Sequence, residues 1–252
     1  IIKGREMRIR DLPGTRIGRP GTTEVIYSPP EGWDTVTEKL HDWERFVHAD
    51  DGLDPLVRMA AAHYQFEAIH PFPDGNGRTG RILNVLMLVE AGHLRLPVLY
   101  LSRYIIDTKN DYYRLLLAVT AEQAWEDWVL YILTGIELTS RYTLRKIGAI
   151  KALQDDFNQR ARFACKGGAD AEFQSALFEQ PYCRIATVVA RCGVSRPTAT
   201  AWLNALVDHG MLETVKVGRD RLFINREFLK LLVRREPLGE PDFNGKQLAM
   251  FG

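Results

Sequence analysis

Only three cysteines, Cys165, Cys183 and Cys192, occur in 252 residues. They are too few for a disulfide framework and lack the paired spacing of a zinc site, so reduced thiols in a cytoplasmic protein are expected. No apolar run approaches the ~18 residues that a membrane helix needs, and no membrane span is expected. Nothing at the start reads as a secretory leader, and none is expected. It begins on Ile1 rather than Met, and further residues are expected upstream. Net charge is nearly absent: 33 Lys and Arg stand against 32 Asp and Glu, which argues against a molecule-wide polyanion binder. H-E-x-x-H spacing is missing, and His41, His48, His63, His93 and His209 read as structural or surface residues. Internal repeats and low-complexity tracts are lacking too.

What is present is an ordinary globular composition, 46% hydrophobic and 26% charged, long enough for one large or two smaller domains. The first ~30 residues are rich in Gly, Pro and Thr. They hold one strand-like run, Thr23–Tyr27, ended by Pro29-Pro30, which reads as a hairpin or extended flap. From Trp33 the pattern turns helical, with Val36, Leu40, Trp43 and Val47 on one face. Asp54-Pro55 opens a second helix, Asp as N-cap and Pro at the first position. Further helices are predicted at Thr79–Ala91, Asn110–Ala121 and Trp125–Ile147. Lys166-Gly167-Gly168 marks a break. Beyond it Ile185–Cys192 and Arg196–Val207 flank Gly193-Val194-Ser195, a helix–turn–helix spacing. The strand-like runs Glu213–Val217 and Arg221–Ile224 follow, and this plan is that of a winged helix.

Ordinary rules break in the segment His70-Pro71-Phe72-Pro73-Asp74-Gly75-Asn76-Gly77-Arg78-Thr79-Gly80-Arg81. Pro71 disfavours helix at His70 and places an imidazole at a helix end. Gly75 and Gly77 permit the backbone angles of an anion nest, and the next helix starts at once with free N–H groups. Arg78 and Arg81 then sit at that helix start, where the macrodipole disfavours cations by up to ~1 kcal/mol. A bound polyphosphate resolves the conflict, because guanidinium forks and helix amides converge on it. Asp74 suits Mg²⁺, which takes one or two carboxylates plus phosphate oxygens. His70, with an imidazole that titrates near neutrality, suits a general base. Together these are the parts of phosphoryl or nucleotidyl transfer. Gly75–Gly80 also satisfies G-x-G-x-x-G, but a helix precedes it and no βαβ unit surrounds it. A P-loop reading fails because Arg81 and Ile82 stand where Lys and Ser/Thr are required.

The same run resembles the Fic signature H-P-F-x-D/E-G-N-G-R-x-x-R at every defined position, and the surrounding arrangement resembles a Fic domain from about Gly18 to Ile150. The resemblance implies a mainly α fold: a Fic-type helical core with a short β-hairpin flap, followed by a small winged-helix (α+β) domain. The expected division is 1–32 extended segment and target-docking flap, 33–165 catalytic core, 166–180 linker with a short helix, 181–235 winged helix–turn–helix, and 236–252 tail. It implies a protein adenylyltransferase that moves AMP from ATP to a Ser, Thr or Tyr hydroxyl of a target protein, itself included, with release of pyrophosphate. His70 would be the base and Asp74 the Mg²⁺ ligand. Gly75, Asn76, Gly77, Thr79 and Gly80 would line the phosphates, with Arg78 on the β/γ end and Arg81 on the γ-phosphate. Tyr112, in Asn110-Asp111-Tyr112-Tyr113, would lie near the adenosine, against the plainer reading of a core tyrosine. The flap residues Glu24, Val25, Ile26 and Tyr27 would align the target segment by strand pairing. Many Fic proteins carry an inhibitory helix, S/T-x-x-x-E-G/N, whose Glu pairs with the second arginine of the signature. No such pattern occurs here, and it is expected upstream of residue 1.

Between Pro181 and Arg235 ten Lys/Arg face four Asp/Glu. Arg191, Arg196 and Arg219 could meet DNA phosphates, with base contacts from Ser195, Arg196 or Thr198. So modest an excess favours protein docking instead. The alternatives left open are a DNA-binding regulator with a silent or nucleotide-sensing Fic domain, and a Fic enzyme that transfers another phosphate-containing group or removes AMP. A homodimer is also left open.

Overall fold

The computed structural model describes residues 8–11, 13–18, 25–165, 170–218 and 220–239. The chain divides into two compact units, Ile1–Thr143 with Leu238–Gly252, and Leu144–Pro237. Among the described residues no helix is long and apolar enough to cross a membrane.

In the first unit β1 (Ile17–Gly18) and β2 (Val25–Tyr27) form an antiparallel pair, Ile17 opposite Tyr27. This is the expected flap, although Glu24 lies outside the described residues. Helices α1 (Trp33–Val47), α2 (Pro55–Ile69), α3 (Asn76–Glu90), α4 (Leu101–Asp107) and α5 (Lys109–Glu122) follow, then the first part of α6 (Trp125–Ala164). Helix α2 starts where its cap predicts, the Asp54 carboxylate accepting from Leu56 N at 2.8 Å and Val57 N at 3.4 Å. It is central, burying Met59, Ala60, His63, Phe66 and Glu67. The core around it contains Leu88, Leu101, Ile105, Tyr112, Val119, Trp128 and Ile132. Buried indoles have to satisfy their N–H: Trp128 donates to the Ala60 carbonyl at 2.8 Å and Trp43 to that of Ala62 at 2.9 Å. At Gly135, a Cβ would meet the Tyr104 ring at 2.4 Å, so α6 passes α4 closely there.

Two expectations fell short. Helix α6 continues past Ile147 to Ala164, since nothing before Lys166-Gly167-Gly168 obliges it to stop. Helix α4 was not expected, because seven residues are too few for a periodic pattern.

The second unit holds the rest of α6, then α7 (Ala171–Glu179), β3 (Tyr182–Arg184), α8 (Ile185–Cys192), α9 (Arg196–Asp208), β4 (Glu213–Val217), β5 (Asp220–Ile224) and α10 (Arg226–Val233). The stretch expected as a linker with a short helix carries α7, whose Phe173 and Leu177 are core residues. The sheet order is β3-β5-β4, all antiparallel, and both the helix–turn–helix and the hairpin lie where their sequence signals put them. Gly193 closes α8 in the left-handed conformation at φ 63°, as glycine does at helix ends. Three helices here have side-chain N-caps: Asp170 on Phe173 N, Ser195 on Thr198 N and Asn225 on Phe228 N.

Candidate active site

Helix α2 runs directly into the His70–Arg81 loop, and its last turn sets the geometry. Pro71 forbids another helical turn, and His70 becomes the C-cap with φ 50° and ψ 58°. For a residue with a Cβ this left-handed conformation costs roughly 1–2 kcal/mol; only Gln123 joins it among the described non-glycine residues. Strain of that kind persists only where the surroundings hold it. Arg10, 4% exposed, packs against this bend. Its Nε donates to the His70 carbonyl at 2.7 Å, and its Nη2 donates to the Ile69 carbonyl at 3.1 Å and to the Pro30 carbonyl. Burial lowers the pKa of His70 first, and the Arg10 charge lowers it further, while the Glu67 carbonyl acts in the opposite sense. The imidazole therefore stays neutral and able to accept a proton at pH 7.

The loop is braced from inside. Asn76 is 2% exposed, accepts from Phe72 N at 2.8 Å and donates to Phe72 O at 2.7 Å. Its side chain is thereby spent on the loop, and only its backbone N–H is left for a phosphate. Gly75 takes φ 82° as the N-cap of α3 and leaves that helix start without a side-chain cap, an arrangement suited to an anion. At Gly77 a Cβ would lie 3.1 Å from Arg81 Nη1. Gly80 sits one turn into α3, where a Cβ would meet Glu67 Oε1 at 2.7 Å and His63 Nδ1 at 3.2 Å, so close packing of α3 on α2 calls for a glycine there.

The two arginines separate. Arg78 pairs with Asp74 at 3.3 Å, which eases its conflict with the helix start. Arg81 Nε donates to Ser102 Oγ at 3.0 Å. Asp74 also accepts from Gly75 N at 2.6 Å and keeps a side chain 71% exposed. It is a hard oxygen donor beside the free amides of α3, and so fits a Mg²⁺ ion shared with phosphate oxygens. Among the described residues no group of three or more His, Cys, Asp or Glu could hold a metal ion, and an ion at Asp74 would rely on phosphate and water.

A cavity of about 140 Å³ gathers Tyr27, Glu67, His70, Gly77, Arg81 and Tyr112 among its lining residues. Tyr112 is 4% exposed, and its hydroxyl pairs with His63 Nε2 at 3.1 Å, so its polar end is committed to the core. Its ring still lines the cavity with His70 and Arg81; Tyr113, beside it on α5, is the more exposed ring. Tyr27 anchors the flap, its hydroxyl donating to the Ala68 carbonyl at 3.0 Å, and Val25 is 44% exposed.

Two residues, Glu67 and Arg10, escaped the sequence reading of the site, and His63, read as structural or surface, is a buried structural residue beside it. Glu67 is buried, its Oε1 has no hydrogen-bond partner, and burial raises its pKa to about 7 against the pull of Arg81. His63 is buried against Trp128, their rings 13° apart, and desolvation, then Arg81, lowers its pKa to about 3. Both stand at helical spacing before His70, and a carboxylate inside an apolar helix face was the available signal. Arg10, sixty positions from its partner, gave none.

Comparisons with known proteins concern the family. A model of the Fic/DOC family matches residues 3–88, and a model described as the C-terminal domain of SoFic-like protein adenylyltransferases matches residues 166–228. The chain carries a Fic/DOC family domain at residues 3–88. It is 32% identical over 143 residues to "Protein adenylyltransferase fic-1" of Caenorhabditis elegans, a match covering 55% of this chain and 26% of the relative. A "Probable protein adenylyltransferase" of Aquifex aeolicus is 37% identical over 79 residues, covering 31% of this chain and 24% of its own. The chain thus spans about a quarter of the length of these relatives. The crystal structure of a Fic family protein from Desulfovibrio desulfuricans G20 is 24% identical, covers 78% of this chain and 56% of its own, and has a TM-score of 0.42.

Proposed function

We propose that this chain is a protein adenylyltransferase that moves AMP from ATP onto a Ser, Thr or Tyr hydroxyl of a target protein, its own hydroxyls included. The observation that carries the reading is one cavity lined by both the His70 imidazole and the Arg81 guanidinium, next to the uncapped start of α3. The target oxygen bonds to the α-phosphorus as its proton passes to His70. The bond from that phosphorus to the bridging oxygen breaks, and pyrophosphate leaves. His70 then returns its proton to solvent. The α3 amides and Arg81 hold the β- and γ-phosphates in line, and positioning of this kind supplies most of the catalysis in phosphoryl transfer. Asp74 would hold Mg²⁺, whose chemistry when bound is to neutralise charge on the phosphate oxygens.

The exposed flap strand supports target capture by strand pairing, since β2 pairs only with β1 among the described residues. The C-terminal module serves protein docking in this reading rather than DNA binding. Arg184 pairs with Asp220, Arg191 with Glu179 and Arg226 with Glu213, and Arg221 donates to Asn204. Ser195 and Thr198 hydrogen bond to each other at the α9 cap. Arg219 lies outside the described residues.

Incubation with α-labelled ATP and Mg²⁺ tests the proposal. Label should appear on the chain or an added target and vanish in His70→Ala. ATP bound with no label transferred would favour a nucleotide-sensing regulator.

A further inference from the structure

Arg10 reaches the catalytic bend from the far end of the sequence, and it spends every contact there on backbone. Its side chain takes the carbonyls of Ile69 and His70, and its own N–H donates to the Pro71 carbonyl at 2.9 Å. Three consecutive carbonyls at the end of α2 are thereby satisfied by one residue. Helix C-termini leave such carbonyls without partners, and a cation there also meets the negative end of the dipole. The same guanidinium takes the Pro30 carbonyl, three residues past the flap strand. It therefore ties the flap and the bend to one point.

A simpler role would be to pin the N-terminal segment to the core. Any buried donor aimed at any carbonyls would do that. The carbonyls actually chosen belong to His70 and its two neighbours, at one of two left-handed non-glycine residues among those described. We propose that Arg10 is a positioning residue for the transfer reaction: it holds the His70 backbone in its left-handed bend and so aims the imidazole into the cavity. The inference rests on the reading of His70 as the base. It gives Arg10 a second effect as well, because its charge is one cause that keeps the His70 ring neutral.

Two substitutions separate these effects. Arg10→Lys keeps the charge but cannot span two carbonyls from one planar group. Arg10→Gln removes the charge. Other charged or titratable groups facing the bend stay in place: Glu31 and Tyr27 beside Arg10, Glu67 on α2, Arg81 on α3, and Tyr112 and Tyr113 on α5. Steady-state kinetics on the full chain should give kcat down about 10- to 100-fold in both variants, the scale of a small misplacement of a reacting group. KM for ATP should stay within about twofold, because the phosphate contacts are untouched. The His70 ring titration, followed by NMR and assigned with His70→Asn, should move to higher pH in Arg10→Gln and stay in place in Arg10→Lys. Should Arg10→Gln fail to fold, Arg10→Lys alone decides through its kcat-against-KM split. Wild-type kcat in Arg10→Lys, or an unmoved His70 titration in a folded Arg10→Gln, overturns the proposal. If the wild-type chain transfers no label while Arg10→Gln still shifts the titration, the transfer reading fails and the hold of Arg10 on His70 stands.

Discussion

The two units of this chain use their polar groups differently. In the second unit these mostly order the fold, although Asn158 Oδ1 and Asn225 Nδ2 are buried without a partner. Asp170, Ser195 and Asn225 cap helices, exposed arginines pair with exposed acids, and the core is Phe157, Phe173, Leu203, Leu206 and Phe223. In the first unit Glu67 and His63 are buried with a side-chain atom unpartnered, and His70 holds a strained backbone. Such costs fall within one cavity and the helix pair beside it, where binding of a polyphosphate would use them. Local rules broken together at one place mark function more reliably than any one of them alone.

The largest expected difference is in activity. His70→Ala should lower transfer at least 10²-fold, the ordinary contribution of a general base, whereas Arg191→Gln in the second unit should leave the rate unchanged. Initial rates at saturating ATP check both. If Arg191→Gln were as damaging as His70→Ala, the division of labour between the units would be wrong.

Packing at the close helix contacts comes next. Gly135→Ala puts a methyl 2.4 Å from the Tyr104 ring and 2.9 Å from Leu101. Neither neighbour is a free chain end, and overpacking of this kind costs about 1–3 kcal/mol. Thermal denaturation should show a clear fall in midpoint for this variant.

The buried acid and base of the first unit should oppose each other in pH. Glu67 has its folded pKa raised from 4.5 to about 7, so its contribution to stability is full below 4.5 and is lost as pH rises through 7. His63 has its folded pKa lowered from 6.5 to about 3, so its contribution is full above 6.5 and is lost as pH falls through 3. Between pH 4.5 and 6.5 the two slopes cancel. Glu67→Gln removes one of them, and relative to wild type its stability should then climb with pH by about 1 kcal/mol per unit. Denaturant titrations at pH 5 and 6 read this directly; parallel curves for variant and wild type would show that Glu67 is ionised in the folded protein.

Much of this was legible beforehand for a physical reason. The signature segment is contiguous, and each feature acts on near neighbours: Pro71 on His70, Gly75 on the start of α3, Asp74 on Arg78. The helix–turn–helix was legible likewise, through the Gly193-Val194-Ser195 turn between two helical runs. What stayed hidden depends on distant partners. Arg10 is ordinary in sequence and takes its meaning from carbonyls sixty positions away. Gly80, which the resemblance assigns to the phosphates, also has close neighbours on α2 that only the fold brings to it. Tyr112, which the resemblance puts near the adenosine, lines the cavity, and its hydroxyl has in His63 a partner 49 positions away.

The smallest effect is the one that sharpens the contrast most, because it reverses sign. Gly148 and Gly80 are both helical glycines, in α6 and α3, and alanine favours helix over glycine by about 1 kcal/mol at either. At Gly148 a Cβ would meet nothing within 4 Å, so Gly148→Ala should raise stability by about 0.5–1 kcal/mol. At Gly80 the same methyl meets Glu67 Oε1 at 2.7 Å and the His63 ring at 3.2 and 3.3 Å. The carboxylate is the end of a flexible chain and can move, but the imidazole is held by Tyr112 and Trp128. The gain in propensity should therefore be outweighed, and Gly80→Ala should lower both the melting temperature and the rate. A stabilised, fully active Gly80→Ala would mean that α2 and α3 have room to spare, and that their close approach is not what positions the site.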